Sequence, residues 1–229
     1  MMHEGYLLRP ASNEDLQGIT DVIIATELLE RGESNATTDE LVASWQRPRF
    51  DLDHDAWVVV KNTDQQLVVG YEEVWNRKDF QHFMGDGYVH PSHRNLGIGT
   101  ELIRRMEARV GEQLHLASPG SRVVIQNGVS GADRAGIELH EHEGYQPVRY
   151  FWRMEIDLNE EPVSASPVAK IKLTGFDLTS DGPNAYQVVT EAFQDHWNYI
   201  RPPYEDWLQY FSRDSFEAGA SFLAMQDDQ

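Results

Sequence analysis

The stretch Tyr88 to Ile103, YVHPSHRNLGIGTELI, restricts the fold more than any other part of the 229-residue chain. It reads as a strand stopped at Pro91, a short loop holding Arg94 and two glycines, and an amphipathic helix. Gly97 and Gly99, one residue apart, let the main chain turn its N–H groups inward with no Cβ in the way. The helix start adds unpaired donors and the positive end of its dipole, so the stretch is built to hold an anion, phosphate above all. The residue pattern narrows which phosphate. Gly99 is followed by Thr100-Glu101 rather than Lys and Ser or Thr, which excludes a nucleoside-triphosphate loop. Leu102 stands where a dinucleotide loop needs a third small residue.

Composition removes other chemistries. With no cysteine there is neither a disulfide framework nor a zinc–thiolate site, and acyl transfer through a cysteine nucleophile is excluded. The turn motif His90-x-x-His93 lacks further ligands at metal spacing, so no metal is expected. A formal net charge of −19 with four lysines argues against nucleic acid and would draw a cationic substrate. No apolar run is long enough to span a membrane and the first residues carry no leader pattern, so a cytoplasmic location is expected.

Periodicity then orders the elements. Tyr6 to Pro10 reads as a strand, and Ser12 can cap a helix whose buried face is Leu16, Ile19, Ile23 and Leu28. A second helix starts at Thr37 or Thr38 and ends at Arg47-Pro48-Arg49. Ala56 to Lys61 and Gln66 to Trp75 form an antiparallel hairpin, and a connection from Asn76 to His82 leads to the strand before the phosphate loop. Its helix carries Leu102, Ile103, Met106, Val110 and Leu114 inward. Arg122 to Asn127 is a strand, Asp133 to Glu143 a helix closed by Gly144, and Val148 to Ile156 a last strand. The expected fold class is α/β, a central mixed twisted sheet flanked by helices.

Arg94-x-x-Gly97-x-Gly99 after Val89-His90-Pro91, in this order of elements, resembles the coenzyme A loop of the GCN5-related N-acetyltransferase (GNAT) family. The resemblance implies the GNAT fold, with acetyl-CoA as cosubstrate laid between two parting strands. It implies that the backbone of Tyr88, Val89 and His90 bonds the pantetheine amides. The N–H groups of Leu96, Gly97, Ile98, Gly99 and Thr100 would hold the diphosphate, beside Arg94, Asn95 and Asp133. Direct acetyl transfer to a primary amine of a small molecule follows, and it needs a base and a leaving-group acid. The family's acid is a tyrosine; aligned on Gly144-Tyr145, His140 stands in its place and Asp133 replaces an asparagine. His140 is thus the candidate acid. Glu73 is the candidate base, with Glu72 on the opposite strand face and His82, Asp86 and His90 as further candidates. The loops 32–38, 76–82 and 129–133 are expected to face the acceptor.

Strand Ile171-Lys172-Leu173 lies 165 positions after Tyr6-Leu7-Leu8, and Phe222 to Met225 lies 165 after Trp57 to Val60. The chain is therefore read as a complete GNAT domain over 1–157, a linker over 158–167, and the N-terminal half of a second GNAT-like domain over 168–229. Phe193-Gln194-Asp195-His196-Trp197 resembles a helix end of tandem GNAT proteins of the mycothiol-synthase type. A half domain needs a partner for its core, so 168–229 is expected to dock on the first domain or on a twin subunit. Two other functional readings stay open: a non-catalytic acetyl-CoA sensor, and a structural half of a tandem protein.

Overall fold

Five strands, β1 (Tyr6–Pro10), β2 (Ala56–Lys61), β3 (Leu67–Lys78), β4 (His82–Val89) and β5 (Val124–Asn127), form one sheet in sequence order in the computed structural model. The structure describes residues 2–62, 67–157, 159, 170–208, 211 and 216–226. Neighbours are antiparallel from β1 to β4, and β5 runs parallel to β4. Helices α1 (Leu16–Arg31), α2 (Thr38–Trp45), the one-turn α3 (Leu52–Asp55), α4 (Ile98–Gln113) and α5 (Arg134–His142) complete the first of two compact units, Met1–Tyr150 and Phe151–Gln229. The sheet is mixed and flanked by helices, as expected from the sequence.

The strands are apolar on both faces because both are covered. On one side Val58, Val60, Val68 and Tyr71 pack with Ile19, Val22 and Leu41 of α1 and α2. On the other, Trp57, Val59, Val69, Val74 and Phe83 pack with Ile98, Leu102, Ile103, Met106 and Val110 of α4. Each such side chain contributes about 2 kcal/mol on burial, far more than helix propensity does. Glycines set the closest approaches. A Cβ at Gly18 of α1 would stand 2.8 Å from Val68, and one at Gly70 of β3 would stand 2.8 Å from Ile98 of α4.

One irregularity in β3 decides which of its side chains face which helix layer. The register passes from Val59↔Gly70 to Val60↔Val68, which leaves Val69 as the extra residue of a β-bulge. Beyond the bulge, alternation puts Tyr71 and Glu73 toward α1 and α2, and Glu72 and Val74 toward α4.

In the second unit, β6 (Ile171–Gly175) and β7 (Phe222–Gln226) form a two-stranded antiparallel sheet, with α6 (Leu178–Ala192) and α7 (Tyr204–Leu208) between them. Ile171 pairs with Gln226 as Tyr6 pairs with Lys61, so both strands keep one register at an offset of 165 residues.

Three expectations need correction. Leu28 and Leu114, expected to face inward, are both 50% exposed. Val148 to Ile156 forms no strand, and Tyr150, Phe151, Trp152, Met154 and Ile156 are exposed, Trp152 to 88%. The segment's pattern suits a pleated surface, but β5 pairs with β4 only. The connection expected over 76–82 shrinks to 79–81, because β3 runs on to Lys78 and β4 starts at His82. The linker expected over 158–167 lies outside the described residues except for Asn159.

Candidate active site

The turn after β4 is built by local chemistry. His90 still donates its N–H to the Val69 carbonyl at 2.9 Å, after which Pro91-Ser92-His93 makes a single tight turn. His90 Nδ1 caps that turn by accepting from the Ser92 N–H at 3.2 Å. The chain's start straps the loop: the His3 N–H donates to the Leu96 carbonyl at 3.0 Å, and the Tyr6 hydroxyl meets His93 Nδ1 at 2.9 Å. Asn95 and Gly97 both take positive φ, 62° and 77°. Such alternation turns successive N–H groups to one side. The first N–H bonded to Gly97 is that of Glu101, so those of Ile98, Gly99 and Thr100 open the helix without intrahelical acceptors. A Cβ at Gly99 would stand 2.6 Å from Leu139, so glycine there lets α5 approach α4.

Beside this turn the sheet parts. β4 and β5 pair from His82↔Val124 to Gly85↔Asn127, and residues 86–89 of β4 have no ladder partner on that side. A row of donors and acceptors next to an anion cradle fits an acyl donor with a diphosphate and an amide-bearing arm. The groups that would hold it are the N–H groups of Leu96 to Thr100 and the backbone of Tyr88, Val89 and His90. Arg94, expected at the diphosphate, donates to Asp133 at 3.0 Å and to Glu30 of α1 at 3.1 Å. Asp133 is the N-cap residue of α5, so its place is beside Arg94. Burial, then the neighbouring Asp133 charge, pushes the Glu30 carboxyl above its ordinary range.

On the α1/α2 face the parting strand edge carries a carboxylate network. Glu73 accepts from Arg47 at 2.6 Å, from the Tyr71 hydroxyl at 2.6 Å and from Ser44 at 3.0 Å. Trp45 Nε1 donates to that Tyr71 oxygen, and the Arg47 guanidinium lies 4.1 Å from the centre of the Trp75 ring. Asp86 is the cross-strand neighbour of Glu73. Among the described residues its contact is a 3.3 Å bond from the Tyr88 hydroxyl, and no cation pairs with it. Burial first, then the Glu73 charge, raises Asp86 to about 7. Glu27 of α1 adds a further negative charge here and is itself paired with Arg31.

The α4 face carries a second carboxyl. Glu72 is 3% exposed, and its Oε1 is buried with no hydrogen-bond partner among the described residues. Its row across the sheet is Trp57, Glu72 and Gly87. The carboxyl fills the space over Gly87, where a Cβ would come within 2.1 Å of Oε2. Burial, then Asp86 and Glu73, drive its pKa well up. Nearby, His140 donates from Nδ1 to the Gly136 carbonyl at 2.8 Å and accepts at Nε2 from Asn127 Nδ2 at 2.9 Å. The ring meets Tyr145 edge-on at 5.3 Å, and burial, then the Glu107 charge, pushes the Tyr145 hydroxyl above its ordinary range.

The expected residues thus fall into two groups. The loop residues follow directly on Tyr88, Val89 and His90 at the end of β4, whereas Glu73 and His140 lie on opposite faces and are each engaged. Missed in the sequence were the Arg47–Glu73 pair, the Glu30–Arg94–Asp133 cluster and the Glu72–Gly87 contact. Only the last had a local signal, a glycine inside a strand, which marks a close approach.

The fold and the turn after β4 fit an acyltransferase that takes its acyl group from coenzyme A. The profile described as Acetyltransferase (GNAT) family matches residues 24–128. A GCN5-related N-acetyltransferase from Sphaerobacter thermophilus is 26% identical, superposes with a TM-score of 0.81, and is matched by 100% of this chain over 70% of its own. The yncA structure from Salmonella typhimurium, solved with its cofactor acetyl-CoA, is 19% identical (TM-score 0.52; 72% of this chain, 99% of that one). An acetyltransferase from Streptococcus agalactiae is 15% identical (TM-score 0.50; 69% and 91%). The comparison with curated proteins gives no match. Over residues 24–128 the chain is similar to the GNAT acetyltransferase family, and it has the fold of those enzymes. No helix among the described residues is long and apolar enough to cross a membrane, and no cluster there could hold a metal ion.

Proposed function

We propose that the chain transfers acetyl directly from acetyl-CoA to the primary amine of a small cationic molecule that enters from the α1/α2 face. The observation that carries this reading is the partnerless edge of β4 over residues 86–89, which runs from Asp86 into the phosphate-binding turn. Bound there, acetyl-CoA supplies an activated acyl group. Backbone N–H groups of the parting strand polarise its carbonyl.

Asp86 is the base. Glu73, the expected base, is neutralised by Arg47, and Glu27 by Arg31, which leaves Asp86 as the one carboxylate of this face network without a cation among the described residues. An ammonium ion supplies that missing charge, and a carboxylate with a pKa near 7 can take its proton at neutral pH. The face network therefore suits a monocation better than a polycation, whose further charges would have to displace Arg47 or Arg31. Glu73 acts on the base: its charge lifts Asp86 and Arg47 tempers that lift.

We further propose that 168–229 is the N-terminal half of a second GNAT-like domain, supported by the shared register of β1–β2 and β6–β7.

Calorimetry with acetyl-CoA, followed by an amine panel read by thiol release, tests the reading. Binding should vanish in Gly97→Val, because Gly97 holds a φ of 77° that a β-branched residue cannot adopt without strain. Unchanged binding in that variant, or no thiol released with any amine, would refute the proposal.

A further inference from the structure

The carboxyl on the α4 face takes no part in donor binding or in proton removal from the amine, and its setting points to another role. We propose that Glu72 is the leaving-group acid: its carboxyl gives a proton to the coenzyme A sulfur as the thioester C–S bond breaks. This rests on the acyl-transfer reading above.

Gly87 lies two residues beyond Gly85, the last β4 residue paired with β5, and so borders the gap. Because Gly87 has no side chain, the Glu72 carboxyl can reach across β4 toward that gap from the α4 side. Asp86, one residue earlier, faces α1 and α2. The sheet thus presents a base on one face and an acid on the other at the place where the strands part. Orphaned Oε1 also argues for function: an unmatched buried carboxyl is costly, and a native fold retains one where it serves chemistry. Both ring nitrogens of His140 are already engaged, Nδ1 with the Gly136 carbonyl at 2.8 Å and Nε2 with Asn127 Nδ2 at 2.9 Å.

The charged and titratable groups around Glu72 agree with a protonated carboxyl. Glu73 of β3 and Asp86 of β4 bear on it, and Glu72 and Glu107 of α4 both bear on Tyr145. Arg105 of α4 is stacked over Trp57. The proton balance closes. The ammonium nitrogen sheds one proton through Asp86 to solvent before attack and a second to Asp86 as the C–N bond forms. Glu72 delivers one to sulfur and is recharged from solvent, so each turnover makes one amide, one thiol and one free proton.

Two measurements on the intact protein decide it. In the infrared, the free protein at neutral pH should show a protonated-carboxyl band that is absent from Glu72→Gln and that moves when coenzyme A is added. Asp86, with a pKa of about 7, gives a band of its own that stays; no band lost on the substitution, or a lost band that coenzyme A had left in place, overturns the assignment. In turnover with an amine that the wild type acetylates, Glu72→Gln should lose about 10²–10³-fold with acetyl-CoA. With an acetyl thioester of an acidic aromatic thiol, which leaves without protonation, it should lose only a few-fold. Equal losses with both donors, or no loss with either, overturn the assignment while acyl transfer stands. A wild type that releases thiol with no amine overturns both.

Discussion

Replacing Asp86 by asparagine separates the cost of the proposed base from its use. Asp86 keeps its proton up to about pH 7 in the folded protein, against an ordinary value of 3.8. Its folded pKa is raised, so the related stability is complete below the unfolded value and is lost as pH climbs through the folded one. Three pKa units correspond to about 4 kcal/mol. Asparagine has the same shape, can still accept from the Tyr88 hydroxyl, and carries no charge beside Glu73. Asp86→Asn should therefore gain stability over the wild type progressively from pH 4 to pH 8, by about 4 kcal/mol in all, with the difference level above that. For a unit of this size the relative gain in melting temperature is about 10 °C. Calorimetric scans of both proteins across that pH range give the comparison. Turnover should move the opposite way: kcat/KM of the wild type rises with pH to a plateau above about 7, and the variant falls about 10²–10⁴-fold with that rise gone. A stability difference that does not change between pH 4 and pH 8 would mean that Asp86 is not an uncompensated carboxylate, and the assignment of the base would fail with it.

Asp15→Asn should destabilise the first unit by about 2–3 kcal/mol at pH 7, because Asp15 accepts from Arg9 through both oxygens at 2.7 Å and from Ser12. Burial pushes the Asp15 carboxyl up, but Arg9 and Ser12 outweigh it and hold the pKa low. Denaturant titration should find the wild type's advantage present above the ordinary carboxylate range and lost as pH falls through the lowered value. Arg94→Gln should weaken acetyl-CoA binding in calorimetry by about tenfold, since it leaves Glu30 and Asp133 uncompensated near the cradle. Unchanged affinity would take Arg94 out of donor binding. Leu102→Ala, at a side chain fully buried under α4, should cost about 3 kcal/mol in denaturant unfolding.

What could be read in the sequence divides by range. The turn after β4 was legible because its chemistry is local: a proline, two glycines and the helix start all fall within ten residues. The pairing of β2 with β3 followed from two β-rich runs joined by a short polar connection. The Arg47–Glu73 pair was not legible, because it joins a helix end to a strand 26 residues on, and sequence spacing carries no sign of that contact. His140 and Asp133 were found by position, but their partners Asn127, Gly136, Arg94 and Glu30 come from other turns of the fold. The segment 148–156 shows the converse failure. Its composition favours a strand, but a strand exists only where another backbone offers a ladder, and composition does not say whether one does.

Val69 has a consequence out of proportion to its size. Had β3 passed that point in even alternation, every later residue of the strand would look the other way. Glu72 would meet the arginine beneath the acceptor, and Glu73 would sit beneath α4. One surplus valine therefore sets which of two consecutive acids is salted and which is kept dry.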